Sequence, residues 1–254
     1  MIIFNRIIPI LSGLIVWLWL FLIVGSPQLI YLFGAFLVIS LIVLMLKMFN
    51  WHYRSKEFWA FLGTILWLLI GSTILLVFLD SVLLRSAFII AVGILSGYYL
   101  NNIFQFLYNK NSYQVYSLEN VSNYLNIISF FIFISAFFSL YIFFNYPVYF
   151  LMILTFILSW LIITQTLWVN KVDLKKGRLF VLIVAFLTTE LFWTVHYLPT
   201  SFFVNGLILT IIYYLAINIG LTCLLEKTVE KRIFRTLVVG LSMLILLLVF
   251  AQWS

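Results

Sequence analysis

A carboxylate inside a long apolar run demands more of its surroundings than any other side chain. Glu190 is in that position, within Thr188-Thr189-Glu190-Leu191-Phe192-Trp193. An acid there is costly unless it is paired, protonated or facing water. Four chemistries fit: an ion pair, a Glu held by Thr and Tyr hydroxyls, a proton- or cation-handling group, or a general acid–base. Arg85 is the candidate counter-charge. At 1.5 Å per residue, Glu190 lies roughly 10 Å below the outer end of its run and Arg85 about 5 Å below the end of its own. An arginine side chain can close that gap, so an Arg85–Glu190 pair is one expectation.

Three more residues complete a candidate polar cluster. His196 follows Glu190 by six positions, about 120° around a helix, so the two do not share a face unless the helix bends near Pro199. Its expected role is a hydrogen-bonding anchor, with catalysis or metal binding as the lesser reading. Asp80 is expected to cap the helix that begins at residues 81–85, with Arg85 as its other potential partner. Asn205 stands near the same membrane edge. Asp80, Arg85, Glu190, His196 and Asn205 form one outward-facing patch only if the fourth, seventh and eighth runs touch.

Other chemistry is thin. There is no P-loop, dinucleotide fingerprint, GxSxG elbow or HExxH pair. A single Cys223 allows no intrachain disulfide, and only two histidines are present. No metal and no cofactor is expected. Asn126, Gln165 and Asn218 are expected to hydrogen-bond between helices. Gly93 and Gly97 form a GxxxG pair, and Ala216 and Gly220 a second small-xxx-small pair, both expected at close helix contacts.

These residues sit in a chain that water cannot dissolve as an ordinary fold. Of 254 residues, 66% are hydrophobic, 20% aromatic and 8% charged, and the mean hydropathy is +1.23. A soluble domain carries about 25% charged residues. Nine runs are each long and apolar enough to cross a bilayer: 7–24, 29–46, 58–79, 82–100, 121–144, 148–169, 179–197, 204–225 and 236–253. They are apolar on every side, which excludes the alternating strands of a membrane β-barrel. The first run is too long for a signal-peptide core and is expected to remain as a span. The fold expected is all-α: a polytopic transmembrane helix bundle of about nine spans in one domain, 1–254, with no soluble domain.

The connectors set the orientation. Those near 25–28, 80–81, 145–147 and 198–203 carry no Lys or Arg. Arg6, Lys47, Arg54, Lys56, Lys110 and the clusters at 171–178 and 227–235 all fall on the opposite side. Arg85 is the one exception among the 14 basic residues. The positive-inside rule then places the N-terminus in the cytoplasm and the C-terminus outside. The net charge of +7 is thereby explained by topology, and nucleic acid is not an expected partner. Trp51, Trp59 and Trp168 fit an inner aromatic belt and Trp253 an outer one. The connector 101–120, rich in Asn and Tyr, is expected to lie in the interface.

The pattern of Thr189-Glu190-Leu191-Phe192-Trp193, Tyr197-Leu198-Pro199, Gly206 and Tyr213-Tyr214 resembles one in a family of multi-spanning membrane proteins of candidate-phyla bacteria. It covers the last third of the chain. The resemblance implies a domain of unknown function in a bacterial cytoplasmic membrane, and supplies no substrate or catalytic role. Three function classes compete. The first is a non-enzymatic membrane component that assembles with lipids, a partner protein or a second copy. The second is a small-solute, ion or lipid transporter using Glu190. The third is an intramembrane enzyme acting on a lipid or polyprenyl substrate.

Overall fold

The computed structural model describes residues 2–109, 113–114, 116–225 and 229–251, with backbone alone for 2–5 and 229–232. Lys110, Lys227 and Trp253 therefore lie outside the described residues, as do the side chains of Lys231 and Arg232. Among the described residues there are nine α-helices and no strand. They are α1 (Ile2–Gly25), α2 (Ile30–Met48), α3 (Lys56–Leu76), α4 (Val82–Tyr108), α5 (Ser117–Phe144), α6 (Val148–Val169), α7 (Leu174–Val195), α8 (Phe202–Leu224) and α9 (Val229–Phe250). Each contains a stretch long and apolar enough to cross a membrane.

Short polar residues set the helix ends. Ser55, Ser81 and Ser201 accept from the backbone N–H three residues on, and Asp173 from Lys175. The N-cap of α4 is thus Ser81. Asp80, expected in that role, is exposed one residue earlier. A serine hydroxyl at the residue next to the helix satisfies the same orphan donor. At the other ends, Asn145 and Lys171 take positive φ values of 50° and 58°. There the chain reverses sharply, with the Val172 N–H returning to the Leu167 carbonyl at 3.0 Å.

Among the described residues the connector 101–120 is mostly helix, so the fourth and fifth runs reach past their expected limits at 100 and 121. The helix α4 continues to Tyr108 and α5 begins at Ser117. Asn102 makes this possible, because its amide donates to the Tyr98 carbonyl one turn back at 2.9 Å and its oxygen accepts from Ser117 at 3.2 Å.

The chain forms two compact units, Met1–Asn126 and Ile127–Ser254, with α5 passing from one into the other. In the first, α1 packs against α4, α2 against α1 and α3, and α3 against α4. Lipid removes the hydrophobic drive for helix association, so contact depends on close fit and hydroxyl bonds. The closest fit is glycine on glycine. A Cβ at Gly13 would lie 2.9 Å from the Gly93 carbonyl oxygen, and one at Gly97 3.1 Å from that of Pro9. The order of these contacts makes α1 and α4 antiparallel. Tyr99 adds a polar tie, donating to the Phe61 carbonyl at 3.1 Å with the Ser122 hydroxyl 3.2 Å away.

In the second unit α7 lies between α6 and α8, and α9 lies against α8. Phe138 of α5 stacks on Phe192 of α7, and Phe130 on Tyr213 of α8. Gly220 faces Phe180 so closely that a Cβ there would clash with the edge of the ring. Ala216, one turn earlier on α8, is half-buried. Thr188 of α7 donates to Ser159 of α6 at 2.8 Å, and Ser159 to the Thr155 carbonyl at 2.7 Å.

Candidate functional site

The helix α7 has two unlike faces. Val181, Val184, Ala185, Thr188, Phe192 and Val195 are buried. Ile183, Phe186, Leu187, Glu190, Trp193 and Thr194 are exposed. The exposed set recurs at three- and four-residue steps and so forms one stripe. Glu190 sits in its middle. It is roughly 16 Å along the axis from Leu179, the first residue after Lys175, Lys176 and Arg178, which is about half of a ~30 Å hydrocarbon core.

Nothing among the described residues donates to the Glu190 carboxylate. The neighbouring hydroxyls are committed elsewhere. Thr189 donates to the Ala185 carbonyl at 2.8 Å, Thr194 to that of Leu191 at 3.0 Å, and Thr188 shares its one O–H between the Ser159 hydroxyl and the Ala185 carbonyl. The reading in which Thr side chains satisfy Glu190 is therefore corrected. Each threonine is closer to a carbonyl of its own helix than to the outward-pointing acid.

Arg85 has a local task. Its Nε and one terminal nitrogen donate to the Leu79 carbonyl at 3.0 and 2.6 Å. Leu79 is buried in the turn that follows α3, where no helical N–H reaches its carbonyl. The guanidinium closes this turn and places positive charge at the C-terminal end of α3, where the helix dipole favours it. Hydrogen bonding to a charged group contributes about 1.5–3 kcal/mol. Arg85→Ala is expected to cost that much in thermal or denaturant stability, and Arg85→Lys less, because one of the two bonds survives. An unchanged melting temperature for Arg85→Ala would remove this role. Arg85 belongs to the first unit and Glu190 to the second.

His196 and Asn205 are held within the second unit. The helix α7 runs unbroken to Val195 and Pro199 lies beyond it, so no bend brings His196 towards Glu190. The His196 Nδ1–H donates to the Trp193 carbonyl, and its ring meets Tyr141 of α5 edge-on at 5.5 Å. Asn205 is buried and accepts from the Thr200 hydroxyl at 2.6 Å, which ties the α7–α8 turn to the first turn of α8. Asn218 donates to the Tyr214 carbonyl of its own helix at 2.9 Å. Asn126 and Gln165 are both buried.

Two features escaped the sequence reading. Gly13 is the partner of Gly93 and Gly97, yet it is a lone glycine without a small-xxx-small spacing of its own. The second is a hydrogen-bonded cluster between α4 and α5. Tyr113 donates to Glu119 at 3.2 Å and accepts from the Leu118 N–H at 3.2 Å. Partial burial, and then the Glu119 charge, hold the Tyr113 phenol above its ordinary range, so it stays a neutral donor at physiological pH. Among the described residues no group of His, Cys, Asp and Glu is arranged to hold a metal.

No curated protein and no solved structure matches the chain. One family model does, over residues 66–251, from within α3 to the residue after α9. That stretch includes Arg85 and Glu190 and is longer than the last third that carries the pattern at 189–214. The chain belongs to this family, described as "Protein of unknown function (DUF5656)".

Proposed function

We propose that this protein is a non-enzymatic component of a bacterial cytoplasmic membrane, with its N-terminus inside and its C-terminus outside. The stripe of α7 that carries Glu190 docks a transmembrane helix of a partner protein. The partner helix presents a cation or hydrogen-bond donor to the carboxylate. One observation carries this reading: Glu190 is exposed among apolar side chains along α7, with no donor among the described residues. An acid in lipid gains most from a partner that brings the missing donor. Transport and catalysis both need the carboxylate inside a polar cavity with other groups converging on it. An outward-facing Glu190 favours assembly over either.

Photo-crosslinking tests the docking. A photoreactive amino acid at Phe186 or Thr194 flanks Glu190 on the same face, and one at Ile39 on the exposed face of α2 is the control. A discrete adduct is expected from 186 and 194 and not from 39. Glu190→Leu should lower its yield roughly tenfold, from a buried polar contact of about 1–2 kcal/mol. An adduct insensitive to Glu190→Leu, or equally strong from position 39, refutes the proposal.

A further inference from the structure

We propose that the cleft between α1 and α4 is a binding site for one anionic phospholipid, its phosphate on Arg6 and an acyl chain along the glycine floor. This site is independent of the α7 face. The cleft measures 590 Å³, within the range of small-molecule pockets at about 300–1,000 Å³. Gly13, Gly93 and Gly97 form its floor, and their lack of side chains lets two backbones meet while leaving a channel above them. Ile10, Leu14, Trp17, Ile90, Ile94 and Tyr98 wall it. Leu14, Trp17, Ile90, Ile94 and Tyr98 are exposed, so the channel opens sideways.

Its two ends differ in chemistry. Arg6 and Asn101 line one end, and Trp17 and Ile90 the other. Arg6 is exposed and nothing among the described residues pairs with its guanidinium. From Arg6 to Trp17 is eleven residues, or about 16 Å of helix rise, close to half of a ~30 Å hydrocarbon core. A channel one leaflet deep, apolar along its walls and cationic at headgroup level, matches the outline of an anionic lipid. A phosphate satisfies the guanidinium with charge-assisted bonds, and its acyl chain fills the apolar channel.

Native mass spectrometry of the full chain in detergent tests this, with phosphatidylglycerol or phosphatidylcholine added as probe. The wild type is expected to retain one phosphatidylglycerol at least tenfold more than phosphatidylcholine. Arg6→Gln should reduce that preference about tenfold while leaving the melting temperature unchanged. Leu14→Trp and Ile94→Trp fill the channel from its exposed walls, away from the glycine floor, and should abolish retention of both lipids. Equal retention of the two lipids by the wild type overturns the proposal. So does phosphatidylglycerol retention that survives both Arg6→Gln and Ile94→Trp. A dimer mass that Leu14→Trp removes would identify the occupant as a second copy and overturn it as well.

Discussion

Gly13→Leu is expected to abolish folding of the first unit, and Gly13→Ala to destabilise it by about 1–3 kcal/mol, the usual cost of overpacking. The atom that a new Cβ meets is the Gly93 carbonyl oxygen at 2.9 Å. It belongs to a helix backbone and cannot swing aside as a side chain would. Relief requires the axes of α1 and α4 to part, which gives up the Gly97 contact with Pro9 one turn away. Gly34 of α2 provides the contrast, because nothing lies within 4 Å of a Cβ built there. Gly34→Ala should be neutral or stabilising by up to about 1 kcal/mol through helix propensity alone. Thermal melts of the purified protein compare the two alanine variants directly. Equal shifts at positions 13 and 34 would mean that the glycine contact does not hold α1 to α4.

That contact also marks how far the sequence could be read. The nine helices among the described residues were legible because each contains a long apolar run and each turn is a short polar break. The α6 bounds of 148–169 agree to the residue. The continuation of α4 to Tyr108 was not legible, because Asn-rich stretches read as loop until Asn102 is seen bonding back to its own helix. Faces were harder still. A helix that is apolar all round has no sequence signal for which side packs and which meets lipid. Glu190 could be flagged as costly, but not assigned to the exposed stripe. Arg85 could be flagged as unusual, but its acceptor is a main-chain carbonyl, and any residue at position 79 supplies one. Gly93 and Gly97 were visible as a spacing, while their partner was a single glycine in another helix.

Glu190→Leu is expected to leave the stability of the isolated protein unchanged within about 0.5 kcal/mol, the usual range for an exposed position, while removing its assembly. An outward-facing side chain meets the same lipid in the folded and unfolded chain, so replacing it alters folding little. Insertion should become easier, since an ionised group at the centre of a span costs on the order of 3 kcal/mol relative to apolar residues. A Glu satisfied inside its own bundle would behave oppositely. Its loss would strand a buried donor at a cost of about 1–3 kcal/mol and lower the melting temperature. Thermal melts and the crosslinking yield from Phe186, measured on the same variant, separate the two cases. Glu190→Gln then identifies the partner's group. A neutral donor bonds to the amide nearly as well as to the acid, whereas a cation loses its counter-charge and the adduct falls with Gln as it does with Leu. A marked loss of stability in Glu190→Leu would place the donor within this chain and remove the case for a partner helix on α7.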